Sequence, residues 1–166
     1  GFRVAYDNKV LATGTGGTLS VSQDWVAHAA TNDNAAIKVY KGGQLYRQYP
    51  SKTPLHELNI NRGYIAYGGY GPVRGITPAG VDTDLSVFPK FEGVARVFFV
   101  GRGNAAKPWV ATGAYDHGSD KGWTVIRPWG QKAGIVLDEN PAGMCVVDAC
   151  GTIVVAHYRA QVSGPL

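Results

Sequence analysis

The sequence has few of the residues that hold disulfide-rich or metal-bound domains together. Two cysteines among 166 residues exclude a disulfide scaffold, and no Cys/His cluster has the spacing of metal ligands. No apolar run approaches the roughly 18 residues of a membrane-spanning helix, and the first ten residues do not form a signal-peptide pattern. The sequence therefore predicts no metal, no cofactor and no membrane span.

Charge is also sparse. Charged residues make up 17% of the chain and the net charge is +4. Lys and Arg number 9 against 7 acidic residues before Gly93, and 7 against 5 from there on, so each half is mildly basic. A nucleic-acid surface is usually more concentrated. Nucleic-acid binding thus has only weak support.

Glycine, in contrast, is abundant, with 23 Gly and 9 Pro. So many helix breakers, and no apolar stripe with helical spacing, favour an all-β fold of short strands and turns. We expect one exception, a single helical turn near Trp25–Thr31, and one long exposed loop at Gly68–Gly80. Hydrophobic residues at 45% exclude general disorder.

Short apolar or alternating runs separated by turn residues predict thirteen strands in two groups that meet near Glu92–Gly93. The predicted domains are residues 1–92 and 93–166. The predicted strands are Arg3–Tyr6, Thr18–Ser22, Ala36–Tyr40, Gln44–Tyr49, Leu55–Ile60, Tyr64–Tyr67, Leu85–Pro89, Ala95–Gly101, Trp109–Ala114, Gly122–Arg127, Ala133–Leu137, Met144–Asp148 and Thr152–Arg159.

Two segments in the first group of strands contain candidate catalytic residues. Residues 14–30 present His28 in a turn among small side chains, where it is either an ordinary semi-buried histidine or a catalytic base. Asp84 enters the apolar run Asp84–Val87, where it is either a strand-start aspartate or the carboxylate that orients an imidazole.

The third segment, residues 138–157, carries a family resemblance. Position 143 is Gly and Gly151 lies nine residues after position 142. This pattern resembles chymotrypsin-like serine proteases, whose nucleophile loop ends in Ser-Gly before a strand that turns at a Gly nine residues after the Ser. His28 and Asp84 precede it in that family's order. The resemblance implies two six-stranded antiparallel β-barrels, with the second lacking its last strand because only 24 residues follow position 142.

The resemblance implies a Ser-His-Asp triad of His28, Asp84 and position 142, which is Ala here and cannot be a nucleophile. The change is either an engineered Ser→Ala or that of a natural pseudoprotease. Cys145 as a displaced thiol nucleophile is a third reading. The oxyanion hole would use the backbone at Asn140 and Ala142.

His157, fifteen residues after position 142, resembles the histidine of viral 3C-like proteases (picornavirus, arterivirus and astrovirus kind) that binds a Glu or Gln side chain before the scissile bond. Leu137 takes the place of that family's pocket threonine, which weakens this assignment. The backbone of Tyr158, Arg159 and Ala160 would pair with an extended substrate. The implied setting is a viral polyprotein in the cytoplasm of an infected cell, with its junctions as substrates.

Two alternatives stay open. Glu57, 29 residues after His28, is an alternative to Asp84 as the acid of the triad. A non-catalytic pseudoprotease or capsid-like β-barrel that binds peptide or RNA is the alternative function, and the Ala at position 142 and the basic charge motivate it.

Overall fold

The computed structural model describes residues 2–14, 16–30, 36–52, 55–69, 72–86, 95–100, 108–116, 121–132, 135–140, 143–150 and 153–160, and these contain sixteen strands and no helix. The strands are β1 Phe2–Tyr6, β2 Lys9–Gly14, β3 Thr18–Ser22, β4 Trp25–Ala29, β5 Ala36–Lys41, β6 Gln44–Pro50, β7 Glu57–Asn61, β8 Tyr64–Gly68, β9 Arg74–Ile76, β10 Asp82–Asp84, β11 Ala95–Val100, β12 Trp109–Asp116, β13 Lys121–Pro128, β14 Ile135–Asn140, β15 Gly143–Cys150 and β16 Ile153–Ala160. The predicted all-β class is confirmed.

The strands form five antiparallel sheets of sequential neighbours. β1 pairs with β2, and β15 pairs with β16; the three four-stranded sheets have the orders β3-β4-β5-β6, β10-β9-β8-β7 and β11-β12-β13-β14. Within the described residues none of these sheets closes on itself. The assignment of two closed barrels to residues 1–92 and 93–166 therefore stays a prediction.

Tight turns explain the sequential pairing. Asp7–Asn8, Gly42–Gly43 and Arg62–Gly63 each place two consecutive residues at positive φ between paired strands. That conformation is typical of two-residue type I′ hairpin turns, whose twist matches that of the flanking strands. The predicted hairpin between Tyr40 and Gln44 is among them.

The predicted helical turn near Trp25–Thr31 is wrong. Residues Trp25–Ala29 form β4, which pairs with β3 on one side and β5 on the other. All five residues of β4 are buried, because the strand lies inside the sheet and is covered on both faces. Two ladders of backbone hydrogen bonds outweigh the modest helix propensity of its small side chains.

The prediction of one exposed loop at Gly68–Gly80 is also wrong. The short strand β9 lies within it, between β8 and β10, and Gly75 and Ile76 are buried. A Cβ added at Gly75 would lie 2.6 Å from Leu85 Cδ1 and 2.6 Å from Cζ2 of Trp129. Glycine is required at this position because the indole of Trp129 packs directly on the backbone of β9.

Three of the four apolar clusters have members from only one side of the predicted boundary. The largest joins the inner faces of two sheets: Trp25, Ala27, Ala29, Ile37, Val39, Leu55, Leu58, Ile60, Ile65, Tyr67 and Ile76. The β1–β2 hairpin covers part of the outer face, where Val4 packs with Val26 and Tyr40.

The remaining cluster crosses the predicted boundary at residue 92. Its buried members are Ala66, Val73, Leu85, Val97, Val110 and Trp129. Hydrogen bonds from two described side chains also cross. Asn59 donates from Nδ2 to the carbonyl oxygen of Val97 at 2.7 Å, and the buried guanidinium of Arg127 donates to the carbonyl oxygens of Leu85 and Ser86. The two halves of the chain therefore share one apolar seam.

Candidate functional site

His28 lies in the central part of its sheet. On β4 it is paired with Leu19 of β3 and Lys38 of β5, and its side chain is buried, with 8% exposed. Burial, and then the positive charge of Lys38, lower the pKa of His28, because both disfavour the imidazolium. An imidazole held neutral near pH 7 has the protonation state that a general base needs.

Asp84 ends β10, opposite Arg74 of β9. Its Oδ1 accepts a hydrogen bond from the backbone N–H of Ser86 at 2.8 Å. Desolvation acts to raise the pKa of this carboxyl, but hydrogen bonds from Ser86 and the charges of Lys132 and Arg74 outweigh it, so the pKa is lowered. Leu85 and Ser86 after it are buried but lie outside any strand, and Val87 lies outside the described residues.

The structure does not place Asp84 in hydrogen-bond contact with His28. Among the described residues, the polar partners of Asp84 are Ser86, Arg74, Lys132 and Arg127. The sheet order β10-β9-β8-β7 puts Asp84 at one edge, while β7 at the other edge packs against β4. Asp84 as the acid of a triad stays a prediction.

Glu57, the alternative acid, lies on the strand that meets β4. It is the first residue of β7, pairs with Gly68 of β8 and is half-buried. Because β7 packs against both β3 and β4, Glu57 belongs to the strand nearest the sheet of His28. Glu57 as the acid of a triad also stays a prediction.

The two strands predicted after position 142 are present as the antiparallel pair β15 and β16, and the predicted turn at Gly151 lies outside the described residues. Asn140 is the last residue of β14, and Gly143 is the first residue of β15. Ala142 lies outside the described residues. The β15–β16 hairpin places His157 opposite Val146 and Ala160 opposite Gly143. His157 therefore lies on the strand that pairs with β15, and β15 begins one residue after position 142 in the sequence.

The residues assigned to substrate pairing lie on an edge strand. Tyr158, Arg159 and Ala160 of β16 pair with Cys145, Met144 and Gly143. Within the described residues β16 has no strand on its other side. An extended peptide can pair with such an edge through backbone hydrogen bonds.

Leu137 lies at an irregularity of β14. Val136 pairs with Val125 and Asp138 with Thr124, so Leu137 between them has no direct cross-strand partner. A β-bulge of this kind bends a strand and redirects a side chain, and such bulges are frequent next to active sites. The sequence had marked Leu137 only by its spacing from position 142.

Two functional candidates were not apparent from the sequence. Lys38 is a functional candidate because it pairs with His28 across the β4–β5 ladder. Arg127, 1% exposed, becomes one because it joins β13 to the segment that follows Asp84. The alternation of apolar and polar residues in Ile37–Val39 is the signal that puts Lys38 on the face opposite the core.

The described part of the chain contains no group of three or more His, Cys, Asp or Glu residues placed to hold a metal ion. It also contains no helix long and apolar enough to span a membrane. Comparisons with protein-family models, curated proteins and solved structures give no match.

Proposed function

We propose that this chain is a chymotrypsin-like serine endopeptidase of the viral 3C-like type that processes a viral polyprotein and is inactive as written because position 142 is Ala. Its fold is a double barrel, residues 1–92 and 93–166. The observation that carries the proposal is the β15–β16 hairpin. It starts one residue after position 142 and pairs Val146 with His157.

The chemistry follows from a serine at position 142. Its hydroxyl oxygen attacks the scissile carbonyl carbon while His28 takes the hydroxyl proton. Backbone N–H groups at positions 140 and 142 stabilise the oxyanion. His28 then gives the proton to the leaving amine. In the second half of the reaction, water attacks the acyl carbon while His28 takes a proton from it, and His28 returns that proton to the departing serine oxygen. The lowered pKa of His28 suits the first of these steps. Asp84 orients His28 in this scheme.

Substrate selection follows from the hairpin. A peptide that adds to the edge of β16 facing away from β15, where the described residues have no strand, aligns with Tyr158–Ala160, adjacent to His157 in the sequence. The imidazole N–H donates a hydrogen bond to a Glu or Gln side-chain oxygen, and a side chain without an acceptor leaves it unpaired at a cost in binding. The proposed specificity is Glu or Gln before the scissile bond.

A non-catalytic β-barrel module that binds peptide or RNA is the second candidate. The alanine at position 142 favours it, since alanine offers no nucleophile. The codon at this position in the source gene distinguishes the two: an alanine codon favours the module and a serine codon the protease. Nanomolar RNA affinity with steep salt dependence is a second observation that favours the module.

The test is an Ala142→Ser variant incubated with peptides that carry Glu or Gln at a central position. We expect cleavage after that residue, measured by mass spectrometry, and no cleavage by the double variant that also carries His28→Ala. Circular dichroism verifies that both variants fold. A folded Ala142→Ser variant that cleaves no such peptide contradicts the proposal.

A further inference from the structure

A cavity of about 310 Å³ opens where residues from both sides of the predicted domain boundary meet. Its volume lies at the small end of the roughly 300–1,000 Å³ range of small-molecule sites. Its lining comes from β8, β9–β10 and the turn after β13: Tyr64, Thr77, Thr83, Pro128, Trp129, Gly130 and Gln131. None of these residues belongs to the proposed catalytic or substrate-binding set.

One wall of this seam cavity is fixed by aromatic packing. The ring centroids of Tyr64 and Trp129 lie 5.1 Å apart in an edge-to-face arrangement. The rings of Phe99 and Trp129 are nearly parallel, with centroids 6.0 Å apart and an interplanar angle of 7°. Gly75 lets the indole pack on β9. With 4% of its surface exposed, Trp129 is held in place before any ligand arrives. A preformed wall reduces the ordering cost of binding.

The polar groups that the described residues contribute to the seam cavity are all uncharged. The hydroxyl of Thr77 accepts a hydrogen bond from the N–H of Val81 at 3.1 Å and keeps its own proton to donate. The side chains of Tyr64, Thr83 and Gln131 make no hydrogen bond to other described residues. The described lining therefore offers hydroxyl and amide groups beside an apolar wall, and none of its side chains compensates a ligand's charge. Since an unpaired charge is costly to remove from water, the lining disfavours ions.

We infer that the seam cavity is a binding site for a small, flat, uncharged aromatic molecule that carries an amide-type hydrogen-bonding group. The ring packs beside Tyr64 and Trp129, and the amide exchanges hydrogen bonds with Thr83 and Gln131. The site joins β8–β10 to the turn after β13, so an occupant bridges the two halves of the chain. The inference does not depend on the proposed protease activity.

The experiment is an NMR titration of the protein with benzamide, followed in ¹H–¹⁵N spectra. Benzoate and benzamidinium serve as matched probes, since they keep the ring and replace the neutral amide by a negative or a positive group. We expect saturable shifts of the Gly130 and Gln131 amides and the Trp129 indole N–H. The expected Kd is on the order of 1 mM for benzamide, as for a fragment of this size, and at least about fivefold higher for both ions, because their charge is unpaired in the cavity.

A variant tests the polar contact. Thr83→Val removes the hydroxyl and keeps the shape, and it should raise the Kd for benzamide about threefold to tenfold, in line with one net hydrogen bond. Thr13→Val, at an exposed position of β2, is the control and should leave the Kd unchanged. Shifts that do not saturate, shifts centred elsewhere, equal affinity for the three probes, or an unchanged Kd in Thr83→Val each overturn the inference. None of these results bears on cleavage by Ala142→Ser, so failure of this inference is separable from failure of the proposed function.

Discussion

Lys38 of β5 is the direct cross-strand partner of His28 on β4. Residues opposite each other in an antiparallel pair have Cβ atoms about 4.5–5.5 Å apart and point to the same face. The ammonium therefore repels the protonated imidazole. Burial is the larger cause, but the charge of Lys38 adds to it in lowering the pKa of His28.

Replacing Lys38 by Gln should raise the pKa of His28. Removing a nearby positive charge stabilises the imidazolium, so protonation sets in at higher pH. An NMR titration of the His28 ring signals measures this directly. In the Ala142→Ser background, the acidic limb of the pH–activity profile should move to higher pH by the same amount, since the base must be neutral. Lys41→Gln, at the far end of β5 over the Trp25 ring, is the control. A pKa that stays or falls in Lys38→Gln is evidence against this electrostatic role.

Two carboxylates compete for the role of triad acid, and activity separates them. In the Ala142→Ser background, the proposal predicts that Asp84→Asn lowers kcat by about 10⁴-fold, the loss typical when the base-orienting acid becomes an amide. Glu57→Gln should then lower it by less than about tenfold. Steady-state kinetics on one Glu- or Gln-containing peptide measures both. The reverse pattern would assign the acid to Glu57, on the strand that packs against β4.

Asp84 should also contribute to stability with a defined pH dependence. Its folded-state pKa lies below the ordinary 3.8, so its contribution is present above about pH 4 and is lost as the pH falls through the folded-state value. Asp84→Asn should therefore have a lower urea midpoint than the parent at pH 7, and the difference should shrink as the pH falls through the folded-state pKa. A difference that is independent of pH contradicts this electrostatic role.

Gly75→Ala should destabilise the protein by about 1–3 kcal/mol, the usual cost of overpacking. The new methyl group would lie 2.6 Å from Leu85 Cδ1 and 2.6 Å from Cζ2 of Trp129, so the seam must shift. Urea unfolding measures the loss, and Trp129 fluorescence should change with it. Gly68→Ala on β8 is the matched control, because its Cβ meets Val73 at an ordinary 3.5 Å. Equal stability of the two variants would show that the seam is loosely packed.

Local patterns predicted much of the fold. Alternation and turn residues predicted β3 with the bounds that the structure has, and they placed the hairpin after position 142 on the correct segments. Both features depend on neighbouring residues, which a sequence displays directly. The all-β class follows from the same signals.

The errors came from contacts between distant segments. The segment near Trp25 resembles a helical turn until β3 and β5 are known to pair with it on both sides. Gly75 resembles a loop glycine until Trp129, 54 residues away, is seen to pack on it. The same limit applies to the site, since neither the Lys38–His28 pair nor the partners of Asp84 can be derived from spacing.

The central claim, that position 142 is a nucleophile position served by His28, is tested most directly with a fluorophosphonate probe on the Ala142→Ser variant. Attack of the new hydroxyl oxygen on phosphorus expels fluoride, and His28 takes the hydroxyl proton, so intact-mass spectrometry should show one phosphonyl adduct, located at position 142. The parent chain and the Ala142→Ser/His28→Ala double variant should stay unlabelled. A folded Ala142→Ser variant that gains no adduct, or that labels equally well without His28, contradicts the account.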